Sequence, residues 1–95
     1  MSIYDKKYQY VLFLTANEIK FYEFKEQIEK QIPFIKLKDN IQDVDSSTLI
    51  YYEKEGKEFA LVNDYQLGDI TLYSDIDLNE YIKPYKLIIL EDKNE

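Results

Sequence analysis

The stretch "TANEIKFYEFKEQIEKQIP", residues 15–33, decides between two folds. Read as a helix, it makes the chain α+β. Read instead with 18–24 as a second strand after a tight turn, it leaves the chain without its long helix. Thr15 and Glu18 have the capping-box spacing, which starts a helix at Ala16. Pro33 disfavours helical backbone in the residue before it and ends the helix there. In between, Phe21, Phe24, Ile28 and Ile32 fall on one stripe at helical spacing, while Glu18, Ile19, Tyr22, Glu23, Glu26 and Glu29 fall on the other side. A stripe sustained from Phe21 to Ile32 favours the helix, because a half-buried strand needs a period of two.

Outward from this helix the patterns are those of strands. "YQYVLFLT", 8–15, is apolar on both faces from Tyr10 onward, as a strand inside a sheet is. "FIKLK", 34–38, alternates; residues 39–47 are polar and turn-like. "TLIYYE" and "KEFALV" flank Lys54-Glu55-Gly56 and read as a hairpin. A three-residue loop takes glycine third, in the left-handed region, and Gly56 fits. That register opposes Glu53 to Lys57, Tyr51 to Phe59 and Leu49 to Leu61. A two-residue loop would oppose Glu53 to Glu58 and Lys54 to Lys57, and like charges directly opposed destabilise a sheet. "NDYQLGD" is a connector and "ITLYS" a short strand. Asp77 and Glu80 repeat the capping-box spacing ahead of a short helix closed by Pro84, and "YKLIIL" is a last strand, apolar on both faces. The expected fold is α+β: one mixed, mainly antiparallel sheet packed on one long helix, with a short second helix near the C-terminus. The first and last strands are expected adjacent and near the sheet centre. Residues 1–95 are read as a single compact domain, since a chain of this size buries only about 60–65% of its unfolded surface.

Composition narrows the chemistry. There is no cysteine, histidine, tryptophan or arginine. Disulfides, thiol nucleophiles and thiolate metal sites are excluded, and no histidine base stands ready to activate a serine. The one early apolar run, Val11–Leu14, is too short for a signal-peptide core. A soluble, cytoplasmic protein is expected. Two segments begin like calcium loops, Asp43-Val44-Asp45 and Asp75-Ile76-Asp77. Each fails where glycine and glutamate are required, at Thr48 and Lys54 and at Glu80 and Lys86. No metal site, cofactor or catalytic residue is expected, and the chain is read as a non-enzyme.

The distribution of charge is more informative. Residues 1–38 hold seven lysines and five acids, residues 39–82 two lysines and eleven acids, and residues 83–95 three of each, giving +2, −9 and 0 and the net −7 of the chain. The excess is threaded between apolar residues at strand spacing, so folded elements should carry it. Direct nucleic-acid binding is disfavoured by that charge and by the lack of arginine. Complementary charge instead favours a partner protein with a basic surface, such as a nucleic-acid-processing enzyme. The expectation is a small acidic inhibitor in the manner of DNA mimics or phage anti-defence proteins. Its partner-binding residues would be Glu53, Glu55, Glu58, Asp64, Asp69, Asp75 and Asp77, with Tyr52, Tyr65 and Tyr73 (and Tyr22) as exposed aromatic anchors. The alternative is a structural or regulatory protein that binds through an apolar or sheet-edge surface, including to itself, its acids serving solubility only.

Overall fold

The computed structural model describes residues 5–42, 47–82 and 88–89. The elements run β1 (Tyr8–Phe13), α1 (Glu18–Gln31), β2 (Ile35–Gln42), β3 (Thr48–Lys54), β4 (Lys57–Asp64), β5 (Asp69–Ser74), α2 (Asn79–Ile82) and β6 (Ile88–Ile89). The fold is α+β, with an antiparallel sheet and two helices. The strand order is β2-β3-β4-β5-β1-β6. Among the described residues every pairing is antiparallel, so the expected mixed sheet is corrected. β1 and β6 are neighbours, but β6 lies at the edge. The interior positions follow from connectivity: β3, β4 and β5 are joined by tight turns, and consecutive strands so joined pair side by side. All of Phe59–Asp64 and Ile70–Ser74 is buried as a result.

One face of the sheet carries Ile50, Tyr52, Phe59, Leu61, Ile70 and Leu72, which share a single core cluster with Phe21, Ile28 and Ile32 from α1 and its C-terminal cap and with Leu78 and Ile82. Three of the four expected stripe residues are thus fully buried; Phe24 packs against the cluster from a half-buried position. The helix begins later than expected. Asn17 is its N-cap, accepting a hydrogen bond from the Lys20 N–H at 2.9 Å, and the Asn17 N–H donates to Asn63 Oδ1 at 3.1 Å. Asn17 out-competes Thr15 because it both caps the helix and joins it to β4. β2 also runs further than "FIKLK", to Gln42, because β3 supplies pairing partners as far as Thr48.

The hairpin register differs from the expected one. Glu53 lies opposite Glu58 and Lys54 opposite Lys57, with Glu55 and Gly56 as a two-residue loop at φ 53 and 80. Positive φ at both central residues is the requirement of a type I′ turn. Gly56 has the expected positive φ, but in a shorter loop. The like charges are relieved from outside the hairpin: Lys38 on β2 meets Glu53 at 3.1 Å, and Lys6 meets Glu58 at 3.2 Å. Lys54 turns inward, its Nζ donating to the Pro33 carbonyl at 2.6 Å, while Lys57 stays exposed. This register also stacks Tyr52 on Phe59, with centroids 5.2 Å apart. Phe34 is a second strained residue, at φ 60. Left-handed backbone costs a residue with a side chain roughly 1–2 kcal/mol.

Candidate functional site

A shift of one residue turns every side chain of a strand to the other face. Tyr52 therefore points into the core at 1% exposure, and Tyr73 is also buried at 1%, so neither is the exposed anchor expected of it. The Tyr52 hydroxyl donates to Glu29 Oε2 at 2.7 Å. Tyr22 and Tyr65 are exposed, at 43% and 45%. The residue that takes the place of Tyr52 is Tyr51, half-buried on the face away from the core cluster. It lines a depression with Lys38, Asp39 and Glu58. Burial raises its hydroxyl pKa, and the Glu58 carboxylate adds to the rise. Sequence reasoning missed Tyr51 and Asp39 together. The short-loop register would have exposed the first, and a longer β2 the second.

The expected acids divide between the two ends of the sheet. Glu53, Glu55 and Glu58 surround the β3–β4 turn, and the Asp75 N–H donates to the Glu58 carbonyl at 3.1 Å, which sets Asp75 beside them. Asp64 and Asp69 oppose each other at the far end of β4. Six residues separate Glu58 from Asp64, about 20 Å of strand. Asp64, only 4% exposed, is committed to its turn: its Oδ1 accepts from the N–H groups of Gln66 and Leu67 at 2.9 and 3.0 Å. Asp69 accepts from the Thr71 hydroxyl at 3.0 Å. Asp77 accepts from the Asn79 N–H at 3.0 Å, at the start of α2, and from the Tyr10 hydroxyl at 3.3 Å.

Near the hairpin turn the acids and lysines interleave. Lys6 Nζ lies 2.8 Å from Asp75 Oδ2 and 3.2 Å from Glu58 Oε1. Burial lowers the Lys6 pKa, but the hydrogen bonds its ammonium donates to Asp75 and Glu58 outweigh it, and the net displacement is upward. Each of these ion pairs engages one carboxylate oxygen, and the side chains of Glu53, Glu58 and Asp75 remain 34%, 46% and 43% exposed. A carboxylate can accept several hydrogen bonds at once, so these groups keep acceptor capacity toward solvent or a partner. Glu55, at the turn, is 78% exposed in its side chain. Among the described residues no group of three or more acidic side chains is arranged to hold a metal ion, and no helix is long and apolar enough to cross a membrane.

No protein-family model matches the chain. Searches of curated proteins and of solved structures likewise find no match.

Proposed function

We propose that this protein is a non-enzymatic binding module that engages the basic, nucleic-acid-binding surface of a partner protein in the cytoplasm. It would act as an inhibitor of the DNA-mimic or phage anti-defence type. The contact surface is the hairpin end of the sheet, formed by Glu53, Glu55, Glu58 and Asp75 with Asp39 and Tyr51 beside them. The long helix α1 serves as backing for the sheet, holding these groups on a stiff platform. Asp64 and Asp69 drop out of the surface because they sit at the other end.

The observation that carries this reading is the direct opposition of Glu53 and Glu58 across β3 and β4. A sheet disfavours that pairing, and departures from local rules concentrate where function requires them. Lys6 and Lys38 hold the two carboxylates in place while leaving them partly exposed. A partner's lysines and arginines would meet fixed charges and lose little freedom in ordering them.

The test is affinity capture from the host lysate at low and moderate salt, with the parent chain and a Glu53→Gln/Glu55→Gln/Glu58→Gln variant. The reading expects a nucleic-acid-binding protein retained by the parent, lost from the variant, released by salt and displaced by competing DNA. A partner retained equally by both chains would overturn it.

A further inference from the structure

We propose that the open edge of β2, with the groove between it and α1, takes an extended acidic segment of a partner protein as an added strand. Among the described residues β2 pairs with β3 alone. Along such an edge alternate backbone N–H and C=O groups point away from the sheet and are a template for another strand. β-augmentation gains specificity when alternate side chains of the added strand find pockets. Here the pocket exists: a groove of about 310 Å³ is lined by Lys25, Glu29, Ile35, Leu37 and Tyr52. Ile35 and Leu37 are themselves alternate residues of β2. Glu29 fixes the groove's polar rim, accepting from Tyr52 at 2.7 Å and pairing with Lys25 at 2.8 Å. Leu37 stays 52% exposed, an apolar residue awaiting cover on a strand edge.

Phe34, immediately before β2, points to the same surface. It is 88% exposed and sits at φ 60. Both facts are unfavourable for the isolated chain, and strained backbone that displays a side chain is characteristic of binding sites. The ring lies 5.4 Å from the Lys54 ammonium.

Charge selects the occupant. β2 exposes Lys36 and Lys38, the latter beside Glu53, whereas Lys25 at the groove is already paired with Glu29, so the edge lysines carry the charge preference. Lysines on an edge strand obstruct pairing between two copies of the same edge, and the net −7 of each chain adds to that repulsion. The same lysines favour a strand of alternating apolar and acidic residues. The apolar floor of this groove, Ile35, Leu37 and Tyr52, lies on the sheet face away from Glu53 and Glu58, while Lys38 belongs to both surfaces through its pair with Glu53.

The experiment titrates a capped eight-residue peptide of alternating valine and glutamate into the isotopically labelled full chain, followed by amide NMR, with a valine–lysine peptide as control. The expected result is saturable shifts in residues 25–29 and 34–40, with slowed amide exchange along β2. The lysine peptide should bind about tenfold more weakly or less, since opposed like charges exclude wrong partners. Leu37→Glu and Lys36→Glu each alter an exposed side chain. Each should weaken binding by roughly fivefold or more while the amide spectrum confirms the fold. Asp69→Asn, at the far end of β5 and outside both surfaces, should change nothing. Equal binding of both peptides, absence of binding, shifts confined to the β4–β5 turn at Asp64 and Asp69, or β2 shifts that follow protein concentration without peptide would each overturn the proposal, the last by making a second copy the occupant.

Discussion

Glu55 and Gly56 both lie at positive φ, and nothing lies within 4 Å of a Cβ built on Gly56. The turn therefore reports backbone preference with packing left out. Gly56→Ala should lower stability by about 1 kcal/mol, and Glu55→Asn should raise it by roughly 0.5 kcal/mol, because asparagine accepts left-handed backbone that glutamate resists. Urea unfolding of the two variants checks both signs; a neutral Gly56→Ala would mean that the turn does not constrain the hairpin. In the core, Phe21 is fully buried, whereas Phe24 is half-buried, with its ring 6.3 Å from that of Phe13. Phe21→Ala should cost about 3–5 kcal/mol and Phe24→Ala clearly less, an ordering that the same unfolding curves test. The four-residue stripe was legible in the sequence because apolar residues three and four apart must share a helix face. Its unequal burial was not legible, because that depends on which part of the sheet each residue meets.

Between elements, Glu29 joins α1 to β3. Burial pushes its carboxyl upward, but the Lys25 ammonium and the Tyr52 hydroxyl outweigh burial and hold it below the ordinary value of 4.5. A carboxyl depressed on folding contributes stability that is present above its unfolded pKa and lost as pH falls through the folded one. Between pH 6 and pH 3 the melting temperature of the parent should fall more steeply than that of Glu29→Gln, with the difference developing below about pH 4.5. Parallel curves would show that the Tyr52–Glu29 bond does not couple helix to sheet. The strands and both helices were readable from periodicity and turn residues, yet the hairpin register was not. The charges that decide it, Lys38 on β2 and Lys6 ahead of β1, reach Glu53 and Glu58 from outside the hairpin. A pairwise rule applied within the hairpin rejects the observed register because it omits these third partners, and that single step also exchanged Tyr52 for Tyr51. The Asn17 cap escaped for the same reason: its backbone N–H is tied to Asn63, 46 residues away in the chain.

At the scale of the whole molecule, the question is whether 19 acids against 12 lysines serve solubility or recognition. The two roles predict different couplings between stability and binding. Exposed ion pairs contribute about 0–1 kcal/mol each, so losing the Lys38–Glu53 contact costs little, and Lys6, which loses Glu58, keeps Asp75 at 2.8 Å, while removing negative charge relieves self-repulsion. The opposed pair Glu53 and Glu58 adds a local repulsion that neutralisation also removes. Glutamine at positions 53, 55 and 58 should therefore leave the melting temperature unchanged or raise it at low salt. Added salt, which screens the same repulsion, should raise the parent's melting temperature more than the variant's. If the hairpin end is the contact surface, that variant should also lose association with its basic partner, chiefly through a slower on-rate and a flatter salt dependence. Neutralising Asp69 at the opposite end, where a carboxylate accepts from Thr71, should relieve some repulsion yet leave association intact. Thermal melts across a salt series, paired with binding kinetics on the same variants, separate the two roles. Association that declines equally for neutralisation at either end would show that only net charge matters. A variant that gains stability and loses its partner would place the cost of Glu53 facing Glu58 on the side of recognition.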